Sequence, residues 1–121
     1  MAGEPIDGQV LLLTAAKASV PASRLPELVD LVQADLASRL EAYRRGYECV
    51  YEDDDRCAFF VEWGHWDELG DRFGFNDRER SAVRRAHEEQ LLRIGRREDR
   101  IEEFETALEI RDPVVVGLEG G

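Results

Sequence analysis

Residues 47–63 read YECVYEDDDRCAFFVEW, and this stretch decides the fold class. Apolar and polar side chains alternate on both sides of a run of three aspartates, Asp53–Asp55. A period of two is typical of a β-strand, and aspartate is common in tight turns. The stretch therefore predicts a β-hairpin whose tip is the aspartate run.

The length of the turn decides which side chains share a face of the hairpin. A two-residue loop would pair Glu52 with Cys57 and would mix polar and apolar groups on both faces. A three-residue loop pairs Tyr51 with Cys57 and Cys49 with Phe59, and it separates the two kinds of side chain better. We therefore predict the second register.

Helical patterns flank the hairpin on both sides. The apolar spacing predicts helices over about residues 8–18, 24–45 and 66–72, and a long final helix that begins after Asn76 and ends before Asp112. The first of them is apolar on nearly every side, which predicts burial. Gly95 inside the last marks a kink or a break, and residues 114–116 add a short strand. We predict one α+β domain over residues 1–121, mostly helical, with a central hairpin, a long C-terminal helix and flexible ends at 1–6 and 117–121.

The charge balance is strongly acidic. Asp and Glu number 27 against 16 Lys and Arg, which gives a formal net charge of −11, and Lys17 is the single lysine. Such a charge keeps proteins dispersed but destabilises the compact state through repulsion that concentrated salt screens. This composition resembles that of proteins from salt-accumulating archaea. The alternative is an acidic protein from a GC-rich genome, which would also favour arginine.

The sequence predicts a cytoplasmic protein with no membrane segment. No basic-then-apolar layout of a signal peptide begins the chain, and apolar runs such as Val10–Leu13 are too short for a bilayer. In the cytoplasm we expect Cys49 and Cys57 to be free thiols that pack as small apolar side chains rather than form a structural disulfide.

Residues 66–86 resemble a helix-turn-helix with a glycine turn. Its second helix would offer Arg78, Arg80, Arg84 and Arg85 to DNA. The competing interpretation is a salt-bridged helix with no nucleic-acid partner. Concentrated salt also removes most of the affinity that comes from phosphate contacts.

A stripe along the predicted final helix suggests self-association. Ile94, Ile101, Phe104 and Leu108 follow a heptad-like rhythm that could form part of a homodimer interface. The alternative is that this stripe packs within the chain, against the hairpin and the helix over 24–45.

The sequence contains no motif that commits it to a chemistry. Cys49, Cys57, His65 and His87 lack the paired spacing of structural zinc ligands, so we predict no metal site, no cofactor and no catalytic residue. A small enzyme would instead be revealed by an enclosed pocket that holds His65 or His87 beside a carboxylate.

Together these patterns predict a non-enzymatic, cytoplasmic interaction or regulatory protein, adapted to high salt and homodimeric. Its partner would be itself or another protein. The alternatives are a helix-turn-helix transcriptional regulator and a small enzyme without a recognisable motif.

Overall fold

The computed structural model describes residues 5–118, which form six helices and one three-stranded sheet. In chain order the elements are α1 (Gly8–Ala18), α2 (Arg24–Ser38), α3 (Leu40–Gly46), β1 (Cys49–Glu52), β2 (Arg56–Glu62), α4 (His65–Phe73), α5 (Asp77–Arg97), α6 (Ile101–Leu108) and β3 (Arg111–Gly117). This confirms the predicted α+β class, with a central hairpin and a long helix near the C-terminus. None of the helices in this described part combines the length and the apolar character that crossing a bilayer requires.

The sheet has the order β1-β2-β3 and is antiparallel throughout. β3 pairs with β2 without interruption, from Arg56 opposite Gly117 to Glu62 opposite Arg111. The C-terminal valines therefore form a full strand of the core rather than the short addition that we predicted. Because β2 lies in the middle, it is buried along almost its whole length.

The hairpin combines the two registers that the sequence allowed. Cys49 lies opposite Phe59, as predicted, but Cys57 lies opposite Glu52 and not opposite Tyr51. A bulge between Cys49 and Tyr51 absorbs the extra residue. The prediction of one uniform register was therefore wrong. Near the tip the strands follow the register of a two-residue loop, and beyond the bulge they follow that of a three-residue loop.

The helix predicted over 24–45 is two helices, α2 and α3, separated at Arg39. The hydroxyl of Ser38 donates to the carbonyl oxygen of Asp35 at 2.7 Å, and the amide of Arg39 bonds to Leu36 instead. Serine competes in this way with the regular helical bond. After the break, α3 lies against the hairpin, where Arg44 pairs with Glu52 and Tyr43 packs against Phe59.

The predicted final helix is also divided, into α5 and α6. Asp99 adopts a left-handed conformation between them, at φ 57°. α5 continues through Gly95, but the absence of a side chain there lets α6 fold back against α5. A Cβ at this position would lie 3.0 Å from Cδ2 of Phe104 and 3.3 Å from Cα of Ile101. The glycine therefore marks a close approach of α6 to α5.

α5 lies at the centre of the molecule, in contact with α1, α2, α4, α6 and β3. Side chains also cover the free edge of β3. His87 accepts a bond from the amide of Val115 at 2.9 Å, and the indole of Trp66 donates to the carbonyl of Pro113 at 2.7 Å. The amide of Gln33 pairs with β3 as a further strand would, donating to Val115 and accepting from Gly117. An edge covered in this way is closed to pairing with another chain.

The first helix and the chain ends differ from the predictions. α1 buries only part of its surface, because it packs along one side of α5, and it leaves Leu12 63% and Leu13 58% exposed. Of the ends expected to be flexible, Ile6 is buried and Gly117 completes β3. Residues 1–4 and 119–121 lie outside the described part.

Candidate metal centre

Glu62, His65 and Glu68 come together where β2 leads into α4. Glu62 ends the strand, His65 is the first residue of the helix, and Glu68 lies one helical turn later. Gly64 makes the connection at φ 98°, a conformation that favours glycine. The spacing of three residues places the three side chains on the same side of this corner.

The start of α4 is held in place by a buried carboxylate from β3. Asp112 accepts bonds from the backbone amides of Gly64 at 3.2 Å and Trp66 at 3.3 Å. Arg84 balances its charge at 3.0 Å. A carboxylate at a helix N-terminus satisfies free amides and interacts favourably with the helix dipole. His65 therefore projects from a fixed backbone.

His65 is nine-tenths buried and has one ring nitrogen bonded and one free. Its Nε2 lies 2.6 Å from the hydroxyl oxygen of Tyr43. Burial raises the pKa of Tyr43 to about 12, so its hydroxyl keeps its proton at neutral pH. Nδ1 has no hydrogen-bond partner among the described residues and lies 3.4 Å from Oε1 of Glu62.

Glu62 is oriented by a second tyrosine. Tyr47 donates its hydroxyl hydrogen to Oε2 of Glu62, and this bond holds the pKa of the carboxyl below its usual range. Oε1 is then the oxygen that faces His65. Both tyrosines come from α3 and its C-terminal end, so the break at Arg39 helps to build the centre.

The three donor atoms have the spacing of a metal site. One atom from each of Glu62, His65 and Glu68 lies within 4.8 Å of the other two. Two ligands of a tetrahedral zinc ion, at bond lengths of about 2.05 Å, are roughly 3.3 Å apart. The separation of 3.4 Å between Nδ1 and Oε1 fits that value. The two glutamates are exposed, which leaves room for water or another ligand.

A cavity of about 170 Å³ opens beside His65. Its wall is formed by Arg39, Ala42, Tyr43, Tyr47, His65 and Arg72. Asp35 holds the two guanidinium groups, at 3.1 Å from Arg39 and 2.8 Å from Arg72. The cavity thus places a small, net positive surface next to the centre in a strongly acidic protein. The sequence-based criterion for an enzyme is met only in part: His65 lines this pocket, but the pocket is open rather than enclosed and no carboxylate of the described residues lines it.

The four arginines proposed for DNA contact fall into two pairs. Arg80 binds Asp67 and Asp77, and a Cβ on Gly70 would collide with its side chain. Arg84 binds Asp112 and also Glu88. Arg78 and Arg85 are exposed, and neither forms an ion pair within residues 5–118. α4 and α5 do form a helix pair with a glycine turn, but α5 is the central core helix. DNA binding stays a prediction.

The stripe proposed for self-association lies largely inside the chain. Ile94 and Phe104 are fully buried, Leu108 is 8% exposed, and Ile101 is partly buried. The ring of Phe104 packs edge-on against Phe60 of β2, at 5.5 Å between centroids. These residues therefore contribute to the core. Self-association itself stays a prediction, and it would need other surface.

His87 belongs to the core and not to this centre. Its ring lies 4.7 Å from that of Trp66, and burial lowers its pKa to about 3. The two cysteines form a separate cluster with Glu52. The repeated spacing Glu62-x-x-His65-x-x-Glu68 was the available signal for the centre. It matches none of the common zinc spacings, so the spacing alone does not predict a metal site.

Comparison with known proteins identifies a family. The sequence profile of the domain of unknown function DUF8048 matches residues 4–118, nearly the entire chain. No curated protein matches the sequence, and no solved structure matches the fold. The geometry of the molecule therefore carries the functional argument.

Proposed function

We propose that this chain, which belongs to the DUF8048 family, is a small cytoplasmic regulatory protein that binds a divalent transition-metal ion through Glu62, His65 and Glu68. The proposal keeps the regulatory class that the sequence favours. It departs from the prediction that no metal site exists.

The observation that carries the proposal is the unpartnered Nδ1 of His65. A buried polar atom without a partner costs about 1–3 kcal/mol, so it is uncommon unless something else satisfies it. Here Nδ1 lies 3.4 Å from Oε1 of Glu62, and Glu68 completes the cluster, while Tyr43 and Tyr47 occupy the other polar atoms of His65 and Glu62. Metal-binding histidines and carboxylates are commonly held by outer hydrogen bonds of this kind.

The donor set favours zinc or a similar transition ion. One imidazole nitrogen and two carboxylate oxygens suit a borderline cation. Calcium would take six or more oxygen ligands, and magnesium would keep most of its water. Three protein ligands also leave a fourth position open, which permits reversible binding and exchange.

A regulatory role is supported because the ion would connect separate elements of the fold. The ligands come from the end of β2 and the first turn of α4, and their supporting tyrosines come from the α3 region. Binding to the folded chain alone stabilises it, by about 2.7 kcal/mol at a free ion concentration 100 times Kd. The ion would therefore tighten the contact between α3 and the sheet.

The cellular setting follows from composition. The charge of −11, the single lysine and the two thiols support a cytoplasm rich in salt. We retain the homodimer as part of the proposal. Size measurement in molar KCl tests it, and a strict monomer that captures no partner would refute the interaction role.

A small metal-dependent enzyme is the second candidate. The cavity beside His65, with Arg39 and Arg72 in its wall, supports it. A metal-bound water in the open position would be the reacting group, and the arginines would hold an anionic substrate. Turnover of simple esters or phosphoesters that disappears with Glu68→Gln would favour this candidate over pure binding.

Glu68 offers the sharpest test, because it forms no hydrogen bond or ion pair with the rest of residues 5–118. Glu68→Gln should leave the metal-free stability unchanged and weaken Zn²⁺ binding at least 10-fold, measured by calorimetry in molar KCl. Glu102→Gln, an exposed change on α6, is the matched control and should bind like the parent. Equal Zn²⁺ affinity in parent and Glu68→Gln would refute the assignment.

A further inference from the structure

The bulge in β1 brings a second reactive cluster onto one face of the hairpin. Cys49 lies opposite Phe59, and Glu52 lies opposite Cys57, although Glu52 is three positions after Cys49 in the sequence. In a regular strand, positions three apart point to opposite faces. The extra residue at the bulge places Cys49 and Glu52 on the same face, so both sulfurs and the Glu52 carboxylate lie close together.

The two sulfurs are in direct contact. Sγ of Cys49 lies 2.9 Å from Sγ of Cys57 and 3.8 Å from Oε1 of Glu52. A disulfide bond length of about 2.05 Å requires the sulfurs to approach by only about 0.9 Å more. The short, irregular strand β1 lies at the edge of the sheet, where such a shift meets little resistance.

The cysteines differ in exposure, which sets the order in which they react. Cys57 is buried, and both burial and its neighbour Cys49 raise its pKa above the usual range. Cys49 is half-buried and can be reached from solvent. Glu52 lies 3.8 Å from Sγ of Cys49 and pairs with Arg44 at 2.8 Å, so the charges beside the two thiols are balanced. The difference in exposure therefore makes Cys49 the thiol that reacts first.

We propose that Cys49 and Cys57 are a reversible oxidation site, which exchanges with a low-molecular-weight disulfide to form an intramolecular disulfide. The Cys49 thiolate attacks one sulfur of the small disulfide, breaks its S–S bond and releases one small thiol. Cys57 then gives up its proton and attacks Sγ of Cys49, which releases the second small thiol. Two protein thiols are oxidised and one small disulfide is reduced to two thiols.

The compartment agrees with a reversible bond rather than a structural one. In reducing cytoplasm, disulfides are usually transient and are used in catalysis or redox sensing. A strained or exposed pair has a higher reduction potential and is the labile kind. The bond would fix β1 to β2 across the bulge, where the carbonyl of Val50 already accepts a bond from Arg100 at 2.6 Å.

Equilibration with oxidised and reduced glutathione tests the site. The full chain is held in molar KCl with a chelator, alkylated, and weighed by mass spectrometry. In the parent, we expect neither cysteine to be alkylated and no glutathione to be attached. Cys57→Ser should retain one glutathione, because the attacking second thiol is missing, whereas Cys49→Ser should remain unmodified because Cys57 is buried.

Three outcomes would overturn the assignment. In the first, both thiols of the parent stay reduced in buffers that modify Cys57→Ser. In the second, the parent retains glutathione. In the third, the disulfide forms between two chains. Cys57→Ala repeats the test if the serine variant does not fold. The assignment does not depend on the metal centre, so Glu68→Gln should oxidise like the parent even if Zn²⁺ binding fails.

Discussion

The hydroxyl oxygen of Tyr43 lies 2.6 Å from Nε2 of His65, and this bond determines which ring nitrogen remains available. With Nε2 occupied, Nδ1 is directed at Glu62. When Nδ1 binds a cation, Nε2 carries the ring proton and donates it to the tyrosine oxygen. The tyrosine thus selects the ligand atom without touching the ion.

Removing this hydroxyl should weaken the metal centre more than the fold. Tyr43→Phe keeps the ring that packs against Phe59 and removes the bond to His65. We expect Zn²⁺ affinity to fall about 10- to 100-fold, the usual effect of losing an outer hydrogen bond. Tyr51→Phe is the matched control, because the Tyr51 hydroxyl bonds, within residues 5–118, only to Asp53 in the hairpin turn. Calorimetric titration measures both, and equal losses would show that Tyr43 has no special role.

The contact between α5 and α6 should depend on the absence of a side chain at Gly95. Alanine would gain about 1 kcal/mol in helix propensity, but its Cβ would meet Phe104 and the backbone of Ile101. We expect Gly95→Ala to be destabilising by about 1–3 kcal/mol in urea unfolding. Gly46→Ala, where nothing lies within 4 Å, should be neutral or slightly stabilising. A stable Gly95→Ala would mean that the two helices are less closely packed than described.

His87 should make the protein sensitive to mild acid. Burial lowers its pKa to about 3, whereas an unfolded histidine titrates near 6.5. Unfolding therefore takes up a proton below pH 6.5, and the contribution of His87 falls by about 1.4 kcal/mol per pH unit down to about pH 3.

Comparison with His87→Asn isolates this effect from that of the carboxylates. Asparagine can still accept the bond from Val115 but does not titrate. We expect the variant to be less stable at pH 7 and the difference in unfolding free energy to shrink as pH falls to 5. A difference that stays constant over this range would contradict a buried, neutral His87.

The acidic surface should require salt for full stability. Repulsion among 27 carboxylates is screened as the Debye length falls to about 3 Å at roughly 1 M salt. We expect the urea midpoint to rise steadily from dilute buffer to concentrated KCl. A midpoint that does not change would remove the argument for a saline cytoplasm, although the metal centre would be unaffected.

Local patterns predicted the elements well, but not how they are interrupted. The spacing of apolar residues was enough to predict where the helices at Gly8, Arg24 and Asp77 begin, and also the two strands of the hairpin. The break at Arg39 depends on one serine hydroxyl, and the mixed register depends on a bulge that the pattern of side chains does not specify.

The centre could be predicted only in part, because its supporting groups are distant in sequence. Glu62, His65 and Glu68 are evenly spaced and could be noticed. Tyr43 is 22 residues from His65, and Tyr47 is 15 residues from Glu62. Their positions follow from the packing of α3 on the sheet, which depends on the unpredicted break at Arg39.

The most direct measurement is anomalous scattering from crystals grown with Zn²⁺. The account predicts one ion about 2.0–2.2 Å from Nδ1 of His65 and from one oxygen each of Glu62 and Glu68. It would be contradicted by a zinc ion bound only at Cys49 and Cys57, or by His65 found in direct contact with Glu62 and no ion between them.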